Sequence, residues 1–275
     1  MNLDSLLTAA KAGELAACDL CPSSPRRSSD AVFGTSCECR SHGGDWLLSG
    51  ANAISMTVLR DPANTTPSQT GRLCFVCNSV NSTDRTAQNA FALWRAGVSL
   101  VDDGEQSTRY LDRHYFTNAA LHGTDTTRLK RARQCCATLL GDQIRLLNPK
   151  VIIACGADAA ASLYDLGYLS GSWAETRGKW DVANGAYRED LATGGRVYCT
   201  YHTSAGVVNR TVSRLYTPET ERLIEKKRAL VSDQRAIDSF LERHSKYETA
   251  GKGMRVLLLH WLDIGMGVRG AHGLA

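Results

Sequence analysis

Four cysteines fall as Cys18-x-x-Cys21 and Cys37-Glu-Cys39, with His42 close behind. Thiolates at that spacing have the reach of a tetrahedral zinc site or of part of an iron–sulfur site. The alternative is thiols packed under a loop. Polar, Gly and Ser residues surround these cysteines, which favours a metal. Three further groups have types that suit a site. They are Asp61 in Arg60-Asp61-Pro62, Asn118 in Thr117-Asn118-Ala119 and His202 in Tyr201-His202-Thr203. Each alone has an ordinary explanation: Asp before Pro forms turns, Asn ends strands or caps them, and a lone His is usually structural. Brought together they would join a carboxylate, an amide and an imidazole in one place. Whether they meet depends on the elements that carry them.

Those elements read as alternating strands and helices. Strands are expected at 54–59, 114–117, 150–155 and 196–201, the third a near-continuous apolar run of the kind buried in a parallel sheet. Helices are expected at 83–96, 127–147 and 156–166, with Ala87, Ala90, Phe91 and Trp94 on one face of the first. This alternation indicates an α/β protein, a three-layer α/β/α arrangement around a mostly parallel four-stranded sheet. Open sheets of this kind bind ligands beyond the carboxyl ends of their strands. Asp61, Asn118 and His202 each follow or close such a strand, which places all three on one rim.

Residues 2–17 carry a helical stripe of Leu3, Leu6, Leu7, Ala10 and Leu15, and the Ser/Gly-rich stretch after them looks irregular. We divide the chain into a Cys-rich N-terminal segment at 1–50, a catalytic domain at 51–217 and a helical C-terminal extension at 218–275. Residues 218–248 read as charged helices. From Gly251 onward the sequence is Gly-rich at both ends of a small apolar block, Val256 to Leu262.

The 275 residues include 43% hydrophobic and 22% charged ones, values that exclude wholesale disorder. The apolar block at Val256 contains His260 and is too short to span a bilayer. The N-terminus lacks a basic stretch followed by an apolar core, so no secretion signal and a cytoplasmic location are expected. Ten cysteines are many for such a chain, and disulfides are not expected there. The 32 basic and 28 acidic side chains leave a net charge of +4, which permits a nucleic-acid partner without requiring one. The basic clusters at Arg26–Arg27 and at 128–133 each read as a solvated face.

In order and spacing, the motifs from about Cys18 to Arg214 resemble the uracil-DNA glycosylase superfamily. Leu59-Arg-Asp-Pro-Ala63 is similar to its first catalytic motif and Thr70-Gly-Arg-Leu-Cys-Phe75 to the following loop. Phe116-Thr-Asn-Ala-Ala120 resembles the central strand end, residues 135–156 the helix–strand segment, and Tyr201-His-Thr-Ser-Ala205 the second catalytic motif. The resemblance implies a monofunctional enzyme that flips a pyrimidine out of DNA and hydrolyses its N-glycosidic bond, leaving an abasic site. It assigns Asp61 to the cationic sugar and the attacking water, and His202 to negative charge on the departing base. Asn118 would read the base edge and Phe75 would stack on it. Val207 or Val208 would fill the vacated space, and Arg72 and Arg210 would contact phosphates. The partner implied is DNA, with a monomer as the default and no membrane.

Departures from the pattern matter as much. The strict uracil enzymes carry Tyr close behind the first-motif proline, where its ring excludes a C5 substituent; here Ala63 follows Pro62. That opens the expected target from uracil to 5-substituted pyrimidines, including hypermodified phage bases, with an anti-phage role. Thr203 stands where Pro is usual, which bears on the loop around His202. The cluster-bearing branches suggest an iron–sulfur set of Cys18, Cys21, His122 and Cys135 or Cys136. The local set Cys18, Cys21, Cys37 and Cys39 suits zinc and is preferred, because it needs no unusual His ligand. Cys74 and Cys77 read as packing thiols. A second class of function is a non-catalytic DNA-binding or damage-sensing module on the same fold, and a third is an unrelated hydrolase of small nucleosides.

Overall fold

Val151-Ile-Ile-Ala-Cys155 is buried along its whole length because it is the middle strand of a sheet covered on both faces. The computed structural model describes residues 53–60, 85–98, 114–120, 129–178, 185–231 and 234–273. The N-terminal helix and all four cysteines of the local metal set lie outside these residues. So do Asp61, Ala63, Arg72, Cys74, Phe75, Cys77 and His122.

The described strands are β1 (Ser55–Leu59), β2 (His114–Asn118), β3 (Val151–Cys155), β4 (Tyr187–Asp190) and β5 (Arg196–Thr200). They form one sheet in the order β2-β1-β3-β5-β4. The first four in that order are mutually parallel, and β4 pairs antiparallel with β5 at the edge. The four expected strands are therefore present, and β4 makes a fifth. It escapes a hydrophobicity reading because Tyr-Arg-Glu-Asp is short, polar and only half-buried.

The helices are α1 (Arg85–Val98), α2 (Leu129–Leu147), α3 (Ala157–Asp165), α4 (Trp173–Gly178), α5 (Ala205–Arg210), α6 (Pro218–Arg228), α7 (Arg235–Ser245) and α8 (Glu248–Ala271), with a 3₁₀ turn at Val212–Leu215. Alternation along the strands sorts two cores. Met56, Val58, Ile152, Ala154, Val197 and Cys199 pack under α2 and α3 with Cys136, Leu140 and Leu163. Val151, Ile153, Cys155 and Tyr198 face α1 and α8, where Leu93, Trp94, Leu257, Leu258 and Trp261 meet them. This is the expected three-layer arrangement.

The C-terminal extension is helical, as expected, and the apolar block at Val256 lies inside one of its helices. It is the centre of α8, a 24-residue helix buried through most of its length. Three of its glycines, Gly251, Gly253 and Gly265, sit where other backbones press close. A β-carbon on Gly265 would overlap the Gly97 carbonyl of α1, and one on Gly253 would stand 2.5 Å from the Val208 carbonyl oxygen. Glycine weakens a helix by about 1 kcal/mol against alanine, and here it permits helix contacts that alanine would block. No helix among the described residues is long and apolar enough to cross a membrane.

Candidate active site at the carboxyl rim of the sheet

The parallel registers align four strand exits. Leu59 pairs with Asn118, Val58 with Ala154, and Cys155 with Thr200. The pairing continues beyond the strands, since Ala119 N–H donates to the Leu59 carbonyl at 2.8 Å and Ala120 N–H to that of Arg60 at 3.0 Å. Asn118 thus closes β2 beside the exit of β1, and Asp61 follows Arg60 in the chain. Asn118 is 4% exposed.

β5 ends at Thr200, and His202 stands two residues beyond it on the same rim. Its ring is half-buried, and Nδ1 accepts a hydrogen bond from the Ser204 backbone N–H at 3.2 Å. An imidazole nitrogen that accepts cannot carry a proton, so in the neutral ring the proton sits on Nε2. His202 therefore presents a donor. The next residue anchors the loop. Thr203 is fully buried, its hydroxyl donates to the Thr86 carbonyl at 3.1 Å, and its own carbonyl accepts from Asn89 Nδ2 at 3.2 Å. The threonine that replaces the usual proline thus ties the loop to the first turns of α1.

Gly156 completes this side. It leaves β3 with φ of 96°, and its N–H donates to the Thr200 carbonyl at 2.7 Å. By hydrophobic pattern Gly156 opens a helix, and its second role here is conformational. A glycine directly after a buried strand is a signal for a close backbone approach.

Charge on the rim comes from an ion network. Asp158, in the first turn of α3, lies 3.7 Å from Arg60 Nε and 3.7 Å from Arg133 Nε. Arg133 also donates to Ser162 Oγ at 3.1 Å and pairs with Asp165 at 3.4 Å. The basic cluster at 128–133 is thus not all solvated face: Lys130 and Arg131 are exposed, but Arg133 is 7% exposed. Its position was legible, because Leu129, Ala132, Arg133, Cys136 and Leu140 fall on one helical face.

Helix α5 carries the candidate DNA contacts. Arg210 and Asn209 are exposed and Val207 is half-buried. Val208 is 1% exposed and packs in the core with α8, so it is not available as a wedge. Of the candidate metal ligands, Cys136 is likewise a core side chain beside Leu140, whereas Cys135 is half-buried and packs near Ala120, just after Asn118. Cys135 is therefore the better of the two for an iron–sulfur set.

A family model described as the uracil DNA glycosylase superfamily matches residues 63–224, more than half of the chain. A search of curated proteins finds no match.

Proposed function

This chain belongs to the uracil-DNA glycosylase superfamily, and from that premise we propose that it is a monofunctional DNA base glycosylase acting on a flipped-out pyrimidine. The observation that carries the reading is the Ser204 N–H bond to His202 Nδ1, on a rim shared with Asn118. Breaking the N-glycosidic bond sends its electron pair to the base and leaves an oxocarbenium-like sugar. The Nε2–H of His202 suits a donor to the developing negative charge on the base O2. A neutral donor suits it because no proton need be transferred for charge to be stabilised. The Asp61 carboxylate stabilises the cationic sugar and orients the water that adds to C1′; it takes the proton the water loses, and that proton returns through solvent to the departed base anion. Asn118 hydrogen-bonds the base edge and Phe75 stacks on its face. Val207 enters the space left in the duplex, while Arg72 and Arg210 hold phosphates.

The favoured target is a pyrimidine enlarged at C5, because Ala63 leaves open the place where a tyrosine ring would exclude that substituent. Such a target fits defence against DNA built from modified pyrimidines. Zinc on Cys18, Cys21, Cys37 and Cys39 completes the reading as a structural site.

The test is a panel of end-labelled oligonucleotides carrying uracil, thymine opposite guanine, 5-hydroxymethylcytosine or its glucosylated form, treated with alkali after reaction. Alkali-dependent breaks that vanish in Asp61→Asn are expected, strongest at the 5-substituted bases. Breaks at uracil alone would remove the open-pocket argument. Intact DNA binding with no breaks anywhere would put a damage-sensing module in place of an enzyme.

A further inference from the structure

His260 lies in the middle of α8, beyond residue 224 where the family match ends. It is 1% exposed and faces the exit of β5. Its ring stacks on that of Tyr201, with centroids 6.1 Å apart and planes at 24°. Its Nδ1 is 3.4 Å from Thr200 Oγ1. Both partners immediately precede His202. Tyr201 also meets Trp173, edge-on at 5.7 Å, and Thr200 accepts the Gly156 N–H through its carbonyl. One turn along α8, Asp263 pairs with Lys227 of α6 and accepts the Ala186 N–H at 3.0 Å, which fixes the helix at this level. Burial and the nearby Lys227 charge push the imidazole down to about 3, so the stacked ring is neutral at physiological pH.

We propose that His260 is a positioning residue for His202. By stacking on Tyr201 and contacting Thr200, it fixes the backbone at the exit of β5, so that His202 keeps Nδ1 on the Ser204 amide and Nε2–H directed into the site. The inference deepens the proposed glycosylase reading and rests on it for the role of His202. It makes α8 part of the reaction machinery instead of a cover for the sheet. A displacement on the order of 1 Å in such a group costs up to about a hundredfold in rate.

The experiment compares the full-length wild type with His260→Ala and His260→Phe, the latter keeping a stacking ring. The first readout is the ¹⁵N imidazole spectrum of His202, which needs no activity. The second is the single-turnover rate on whichever duplex of the panel the wild type cuts. The third is affinity for a duplex holding a tetrahydrofuran abasic analogue. His260→Ala is expected to mix the His202 tautomers and slow cleavage about ten- to a hundredfold with affinity unchanged. His260→Phe is expected to restore most of both. Should His260→Ala not fold, His260→Gln, which fills the space without a ring, takes its place with the same expectations. An unchanged His202 spectrum and rate in the ringless variant would overturn the proposal, as would equal losses of rate and affinity. If the wild type cuts no duplex, the glycosylase reading fails, while the spectrum still decides whether His260 sets the His202 tautomer.

Discussion

A β-carbon built on Gly156 would stand 2.9 Å from the β-carbon of His202 and 3.4 Å from its backbone nitrogen. The exits of β3 and β5 therefore approach so closely that one of the two residues must lack a side chain. The φ of 96° at Gly156 sets the same requirement independently.

Gly156→Ala is accordingly expected to displace the His202 loop. The positive φ and the contact together should cost about 1–3 kcal/mol of stability. Cleavage should fall by more than the loss of folded protein explains. Denaturant unfolding and single-turnover rates under conditions where the variant is fully folded check this. A variant with wild-type rate would show that His202 tolerates the shift.

Ser204→Pro removes the bond on Nδ1 and places the proline Cδ where the amide hydrogen pointed, so the ring must turn away. Ser204 has φ of −63°, which proline adopts, but proline has no N–H to donate. The expected outcome is a properly folded protein in which His202 is no longer held in one tautomer, with cleavage slowed about tenfold, equivalent to about 1.4 kcal/mol. A rate within a factor of two of wild type would show that the Ser204 amide does not orient the ring.

Sequence patterning reached Asn118 and His202 because each marks the end of a run of buried strand residues, and parallel topology then forces such ends onto one rim. It reached α8 as part of a helical extension but not as one long helix, because Gly251, Gly253, Gly265, Gly267 and Gly270 lower helix propensity. Gly265, Gly253 and Gly267 allow close packing against α1, α5 and the sheet, which no local window contains. It misread Arg133 for a related reason. Charge counts do not say which way a side chain faces, although the spacing from Leu129 to Leu140 did. The Thr200–His260 contact joins residues 60 positions apart and has no local signature at all.

Val207 and Val208 should separate cleanly. Val208→Ala removes buried methyl groups and is expected to cost about 2 kcal/mol of stability, with DNA affinity unchanged for the folded protein. Val207→Ala, at a half-buried side chain on the edge of the same core, should cost less stability than Val208→Ala, about 1 kcal/mol, and weaken binding to a duplex that holds an abasic analogue. Anisotropy titrations and urea midpoints on both variants give the comparison. Reversed assignments would mean that the wedge lies elsewhere in α5.

The metal reading predicts a colourless protein that carries one zinc per chain by elemental analysis, with zinc lost in Cys18→Ser and in Cys37→Ser. A brown protein absorbing near 400 nm would instead indicate an iron–sulfur cluster, and then Cys135→Ser, not Cys136→Ser, should bleach it, because Cys136 is a core side chain.

Two buried imidazoles set an acid limit on stability. His114 is clasped by Ser55 Oγ at 2.7 Å from Nδ1 and Thr57 Oγ1 at 2.8 Å from Nε2. Burial, reinforced by His272, pushes it down to about 3. His260 is pushed down to about 3 by burial and Lys227. Both folded values lie below the ordinary 6.5 of the unfolded chain. As pH falls, the unfolded chain therefore takes up protons first. The stabilisation these rings provide is fully present above about pH 6.5 and is lost progressively toward pH 3. Each ring contributes a slope of up to about 1.4 kcal/mol per pH unit within that window. Urea unfolding at pH 7.5, 6 and 5 should show stability falling with acid, and His260→Phe, which removes one of the two groups, should fall less steeply. Equal slopes in the two proteins would mean that His260 is protonated in the fold, against its burial and the nearby Lys227 charge.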